Sequence, residues 1–181
     1  VFDVEELSTH GGSLRIYARH REAAREPPAP AGEAYPAGRV ERLRRRERKA
    51  GIETLAYYRD FSDRVEETKR GILAFLIDAR GRGDSVVGYG APGKGNTLLN
   101  YCGIRTDFLD YTVDRSEYKQ GMYLPGTHIP IHAPSKIAVT RPDWVLILPW
   151  NLKDEITEQM SHVRDWGGRF VVPIPRLTVL D

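Results

Sequence analysis

The sequence predicts an α/β fold, with a mostly parallel sheet covered by helices on both faces and a long helix ahead of it. Three observations predict it. Short apolar runs alternate with helical patterns from residue 84 onward. A glycine-rich turn, Gly88-Tyr89-Gly90-Ala91-Pro92-Gly93-Lys94-Gly95-Asn96, joins the first such run to the first such helix. The runs themselves are near-continuously apolar, as in strands buried on both faces of a parallel sheet. Strand, glycine turn and helix in that order make residues 84–181 a Rossmann-like arrangement.

The elements follow in chain order. The chain opens with Val1-Phe2-Asp3-Val4-Glu5-Glu6-Leu7, without a methionine, and Ser13-Leu14-Arg15-Ile16-Tyr17-Ala18 alternates like a half-buried strand. One strand is not stable alone, so its sheet partners are expected in sequence outside this chain. Residues 21–38, rich in Pro, Ala, Glu and Arg, read as an extended linker. The basic run Arg42, Arg44, Arg45, Arg46 and Arg48 is interrupted by Glu41 and Glu47 and has Val40 and Leu43 on one edge. That pattern reads as a solvated helical face within a helical segment at 39–83, not as a phosphate footprint. From 53 to 80 the residues Leu55, Tyr58, Phe61, Val65, Ile72, Leu76 and Ala79 recur mostly at three- and four-residue gaps. They mark one face of a long helix, with its aromatics expected in the core, and Gly81-Arg82-Gly83 ends it. Strands are then expected at 86–89, 108–113, 129–132, 144–148 and 169–172, the second ending at Asp114. Helices are expected at 96–102 and 154–166, with a helical turn at 134–138.

Composition narrows the function classes. The 40% hydrophobic and 29% charged residues are ordinary for a soluble domain. A net charge of +2 does not mark a nucleic-acid binder. No apolar run approaches the roughly 18 residues of a membrane span, and no signal segment opens the chain. The expected compartment is therefore the cytoplasm, with no nucleic acid and no membrane as partner. Cys102 is the single cysteine, which leaves no disulfide framework or zinc cluster and suggests a buried structural thiol. No histidine pairs with acidic residues at a metal-ligand spacing, so no metal is expected. His128 is assigned to shaping its loop, His132 to a strand end and His162 to the surface.

The glycine turn carries the chemistry. Glycines let backbone approach an oxygen-rich ligand where a Cβ would collide, and the helix start behind them suits phosphate. Gly88 to Gly93 matches G-x-G-x-x-G, and Asp114 follows at the end of the next strand, where it could bond a ribose hydroxyl. That frame favours a dinucleotide. The overlapping P-loop frame fails at Gly95, where Ser or Thr would hold magnesium. A purely structural turn, letting helix pack on strand, is the bland alternative. Lys94 weighs against it, because a lysine at a helix N-terminus is unfavourable without an anion nearby. Pro92 removes a backbone donor and so weakens the nicotinamide reading, leaving another nucleotide open.

Taken together, the motifs resemble a known family. The glycine turn through Asn100, Asp114, Lys119-Gln120-Gly121, Leu124-Pro125-Gly126-Thr127-His128-Ile129-Pro130-Ile131, Pro149-Trp150-Asn151 and Gly167-Gly168-Arg169-Phe170-Val171-Val172-Pro173-Ile174-Pro175 carry the likeness. They are similar to the C-terminal domain of S-adenosylmethionine-dependent sugar C-methyltransferases. His10-Gly11-Gly12-Ser13-Leu14-Arg15 resembles the end of the preceding methyltransferase domain, making residues 1–20 its tail. The resemblance implies an upstream domain that binds S-adenosylmethionine, a zinc site confined to an N-terminal domain, and a dTDP-linked keto-deoxysugar as substrate. It assigns Gly88, Gly90, Gly93, Lys94, Gly95 and Asn96 to the diphosphate or sugar edge, and Asp114 to a nucleoside hydroxyl or base edge. Lys119 adds charge, Trp150 and Asn151 sit where sheet ligands bind, and His10 is the candidate for proton transfer. This chain alone is expected to be inactive. The alternatives are a nicotinamide-binding domain of an oxidoreductase and a non-catalytic nucleotide-binding module.

Overall fold

The computed structural model of the chain describes residues 1–20, 22 and 38–180. The expected linker at 21–38 therefore lies almost wholly outside the described residues. The chain divides into two compact units, Val1–Ser62 and Asp63–Asp181.

In the first unit, β1 (Asp3–Leu7) pairs antiparallel with β2 (Ser13–Tyr17), placing Val4 opposite Ile16 and Glu6 opposite Leu14. This corrects the expectation that the strand beginning at Ser13 has its partners outside the chain. Its partner is Asp3–Leu7, hidden by three acidic residues that have poor strand propensity. The basic segment forms α1 (Arg39–Ala50), bounded by Gly38 and Gly51 in left-handed conformation and with no buried residue. Three of its arginines have acidic partners nearby: Arg39 pairs with Asp3, Arg46 with Glu6, and Arg48 with Glu41 at 2.7 Å. The solvated helical face is as expected.

The unit boundary falls within α2 (Leu55–Arg82), which stops at Gly83 with φ +83°. Ile72, Leu76 and Ala79 are buried. The predicted face fails further up the helix. Leu55, Tyr58 and Phe61 are 75, 56 and 59% exposed, not the core contacts their spacing suggested. Periodicity shows that a face is apolar; burial also needs a surface to cover it, and none of the described residues does so here.

The second unit is a six-stranded sheet in the order β5-β4-β3-β6-β7-β8. The strands are β3 (Val86–Tyr89), β4 (Thr112–Val113), β5 (Ile131–His132), β6 (Trp144–Ile147), β7 (Arg169–Val172) and β8 (Thr178–Leu180). All neighbours are parallel except β7 and β8. The helices are α3 (Gly93–Cys102), α4 (Ser135–Thr140) and α5 (Lys153–Gln159). Side chains alternate between two cores. Val86, Leu146 and Val171 face Leu76 of α2 and Leu99 of α3, while Val87, Val145 and Phe170 face Ile137 of α4 and Ile156 of α5. Each fully buried aliphatic side chain contributes about 1.5–3 kcal/mol. The fold is thus α/β and Rossmann-like, with helices on both faces.

Several boundaries differ from expectation. The strand expected at 108–113 shortens to Thr112–Val113, because Phe108 and Leu109 both donate back to the Arg105 carbonyl in a turn. The strand expected at 129–132 begins only at Ile131. The helix expected at 154–166 divides at Met160 into α5 and a 3-10 segment, Ser161–Trp166. Strand β8, beyond Pro173 and Pro175, has no counterpart among the expected strands. Cys102 is buried, and burial pushes its thiol pKa up, as suits a structural thiol.

From β3 the chain moves to β4 and β5 on one side, then crosses to β6 on the other. The carboxyl end of β3 is therefore the topological switch point, where sheets of this kind bind ligands.

Candidate functional site

The glycine turn leaves β3 at this switch point, and its glycines have separable roles. A Cβ on Gly88 would stand 2.7 Å from Thr112 Oγ1, and one on Gly95 would stand 2.8 Å from the Leu148 Cβ. Both glycines are there so that neighbouring elements can approach. Gly90 has φ +89° and would clash with Pro149 Cδ at 2.6 Å; the Thr112 hydroxyl donates to its carbonyl at 2.8 Å. Gly93, the first residue of α3, is exposed, and a Cβ added there would meet no atom within 4 Å.

Asp114, one residue beyond β4, ties this turn down. Its Oδ2 accepts the Ala91 N–H at 2.8 Å and the Lys119 ammonium at 3.0 Å, and its Oδ1 accepts the Ser116 N–H at 2.9 Å. Lys119 also donates to the Ala91 carbonyl at 3.1 Å. Burial pushes the Asp114 carboxyl up, but the Ser116, Lys119 and Ala91 donors outweigh it, and the pKa ends below the ordinary carboxylate value.

Beside the turn lies a cleft of about 190 Å³. The strand ends supply Tyr89, Gly90, Pro92 and Pro149; the segment after β4 supplies Asp114, Arg115 and Lys119. Leu152 and the α5 residues Glu155, Ile156 and Gln159 complete it. Gln159 Nε2 donates to Glu155 Oε1 at 2.8 Å, and Arg115 Nη1 reaches both Glu155 and Gln159 at 3.4 Å.

The sequence-predicted residues fall into separate groups. Gly90, Asp114 and Lys119 line the cleft. Lys94, Trp150 and Asn151 form a second cluster, in which the Lys94 ammonium donates to Asn151 Oδ1 and lies 4.4 Å from the Trp150 ring centroid. Burial pushes the Lys94 pKa down. Gly88 and Gly95 are buried in packing roles, and Asn96 closes the first turn of α3 by donating its N–H to the Pro92 carbonyl at 3.0 Å. From the same helix, Asn100 Nδ2 donates to the Pro125 carbonyl at 3.0 Å, holding the Leu124-Pro125-Gly126 segment. His10 is exposed, with φ +56°, in the 3-10 turn joining β1 and β2. It belongs to the first unit, whereas the cleft is built from the second. His132 ends β5 as expected, with its Nε2 2.8 Å from Lys136 Nζ; burial and the Lys136 charge lower its pKa.

Sequence reasoning missed Tyr89, Arg115, Leu152, Glu155, Ile156 and Gln159. For Arg115 a signal existed, since it follows the acid at the carboxyl end of a parallel strand. The α5 residues reach the cleft only through the fold. Among the described residues, no group of three or more His, Cys, Asp or Glu side chains is placed to hold a metal ion, and no helix is long and apolar enough to cross a membrane.

A solved structure, UDP-D-quinovosamine 4-dehydrogenase from Vibrio fischeri, aligns over 54% of this chain and 93% of its own at 19% identity, with a TM-score of 0.40. The C-methyltransferase NovU of Streptomyces niveus is 37% identical over all 181 residues. The match takes in 41% of NovU, so the chain spans about two fifths of the length of this relative. A family model described as the C-methyltransferase C-terminal domain matches residues 8–175. Matched over nearly its whole length by that model, and aligned from end to end with a C-methyltransferase, the chain belongs to the C-methyltransferase C-terminal domain family.

Proposed function

We propose that this chain is the substrate-holding C-terminal portion of an S-adenosylmethionine-dependent C-methyltransferase acting on a dTDP-linked keto-deoxysugar in the cytoplasm. The observation that carries the reading is the cleft at the switch point, where a glycine turn and the start of α3 lie beside cationic side chains. Such a place suits the phosphates of a nucleotide. Gly90, Gly93, Lys94 and Asn96 meet the diphosphate or sugar edge, with Trp150 and Asn151 beside Lys94. Gly88 and Gly95 allow this approach indirectly, by letting the strand and helix close up. Asp114 and Lys119 form the side of the site nearer the nucleoside.

The methyl donor is assigned to an upstream domain of the same protein, as is any zinc, because the chain spans 41% of the C-methyltransferase relative that aligns with it from end to end. The cleft's carboxylates are also already engaged, Asp114 by Lys119 and two backbone N–H groups and Glu155 by Gln159 and Arg115. A carbon beside a ketone is acidic enough for a positioned base to deprotonate it to an enolate nucleophile. His10 is the proposed base or orienting group on the methyltransferase side. Binding energy from the remote diphosphate holds the reacting carbon in near-attack geometry. Residues 1–181 alone bind the nucleotide sugar and transfer no methyl group.

The nicotinamide alternative rests on the G-x-G-x-x-G frame and on Asp114, and Pro92 weakens it by removing a backbone donor that a pyrophosphate would use. A titration of the isolated chain separates the two: thymidine diphosphate binds more tightly than NAD(H), and the reverse order would overturn the reading. Lys94→Ala weakens thymidine diphosphate binding by about 1–3 kcal/mol; unchanged affinity would remove Lys94 from the site. Methyl transfer by the full-length protein to a keto-sugar nucleotide distinguishes the enzyme from a non-catalytic module.

A further inference from the structure

Of the two cations that line the cleft, we propose that Arg115, and not Lys119, pairs with the anionic group of its ligand, in addition to the contact assigned to Lys94. The inference rests on the reading that the cleft takes a nucleoside diphosphate. Both cations line the cleft, but they differ in what already holds them. Lys119 Nζ is 3.0 Å from the half-buried Asp114 carboxylate and 3.1 Å from the Ala91 carbonyl. Its charge is neutralised inside the protein, and moving it toward a ligand would release the glycine turn. Lys94 belongs to the separate cluster with Trp150 and Asn151.

Arg115 is held loosely. Its two contacts, to Glu155 and Gln159, are both 3.4 Å long and both made by Nη1. Neither Nε nor Nη2 has a hydrogen-bond partner among the described residues. The Glu155 oxygen it approaches already accepts the shorter bond from Gln159. Both partners of the ion pair are exposed, 67% for Arg115 and 54% for Glu155, and exposed pairs are weak. The guanidinium nonetheless lies within the cleft, where its charge opposes the burial that raises the Tyr89 hydroxyl pKa. A planar fork with several N–H donors matches two phosphate oxygens better than an ammonium does. Glu155 then serves as a placeholder: it keeps the guanidinium at the cleft in the free protein and yields it to a more strongly charged anion.

This makes predictions of opposite sign for two neighbouring residues. Calorimetric titration of the 181-residue chain with thymidine diphosphate, and with uncharged thymidine as control, tests them. Arg115→Gln weakens thymidine diphosphate binding on the order of 10- to 100-fold and leaves thymidine binding unchanged. Arg115→Lys, which keeps the charge and loses the fork, falls between the two. Glu155→Gln removes the internal competitor and tightens thymidine diphosphate binding several-fold, a gain that no loss of folding can imitate. Wild-type affinity in Arg115→Gln overturns the assignment, as does an equal loss for thymidine or weaker binding in Glu155→Gln. If the wild-type chain binds no thymidine diphosphate at millimolar concentration, the nucleotide reading itself falls, and the assignment with it.

Discussion

Asp114 and Lys94 are both titratable and partly buried, and the protein treats them differently. Asp114 receives two backbone N–H donors and an ammonium, so its pKa is depressed despite burial. Lys94 has one amide oxygen and the face of a ring, and burial pushes its pKa down. The two shifts have opposite meanings for stability. Because the folded pKa of Asp114 is below its unfolded value of about 3.9, its stabilisation is present above that value. It is lost as pH falls through the lower folded value. Asp114→Asn is expected to cost about 1–3 kcal/mol at pH 7, by urea denaturation, since it unpairs Lys119 and one backbone donor. The gap from wild type narrows once the pH drops below the ordinary carboxylate range. For Lys94 the charged form is the disfavoured one in the folded state. Lys94→Met should therefore denature at or above the wild-type urea midpoint while losing thymidine diphosphate affinity, which marks a residue kept for binding. A lower midpoint would show that Lys94 has a structural role instead.

Among the elements, α3 gives the sharpest test, because two of its first three residues are glycines with different surroundings. Gly95→Ala places a Cβ 2.8 Å from Leu148, pushing the helix off the end of β6 at a cost of about 1–3 kcal/mol. Gly93→Ala meets nothing within 4 Å, and replacing glycine by alanine in a helix gains up to about 1 kcal/mol. Thermal denaturation of the two variants should move in opposite directions. Equal shifts would show that the loop glycines are interchangeable. The contrast also shows what the sequence could convey. Val86–Tyr89 and Arg169–Val172 were legible to the residue, because each is a short apolar run bounded by turn residues. Strand β1 was not, because Asp3, Glu5 and Glu6 mask its alternation, and Asp3 is buried while paired with Arg39. The expected strand at 108–113 failed because Leu109 is buried from a turn, and apolar character reports burial without reporting conformation. In the site, the glycine turn and Asp114 were visible because backbone geometry demands particular residue types. Glu155 and Gln159 were not visible, since a polar residue on a helix looks the same whether it faces a cleft or water.

For the molecule as a whole, burial is distributed unevenly. Val4 is the buried hydrophobic residue of the first unit among those described, while the second unit holds both cores. Amide exchange in the isolated chain should follow this difference. Amides of β1 and β2 are expected to exchange through local opening, and those of β3, β6 and β7 only with global unfolding. Comparable protection in both units would overturn that expectation. Within the second unit, the Asp114 clamp has a kinetic consequence. A glycine turn that must order itself around a ligand binds slowly, with the ordering step visible as a concentration-independent phase. Here the turn is already fastened at Ala91, so only exposed side chains need to move. Nucleotide association should then be single-phase, with a rate rising linearly with concentration, and affinity differences among cleft variants should appear in the dissociation rate.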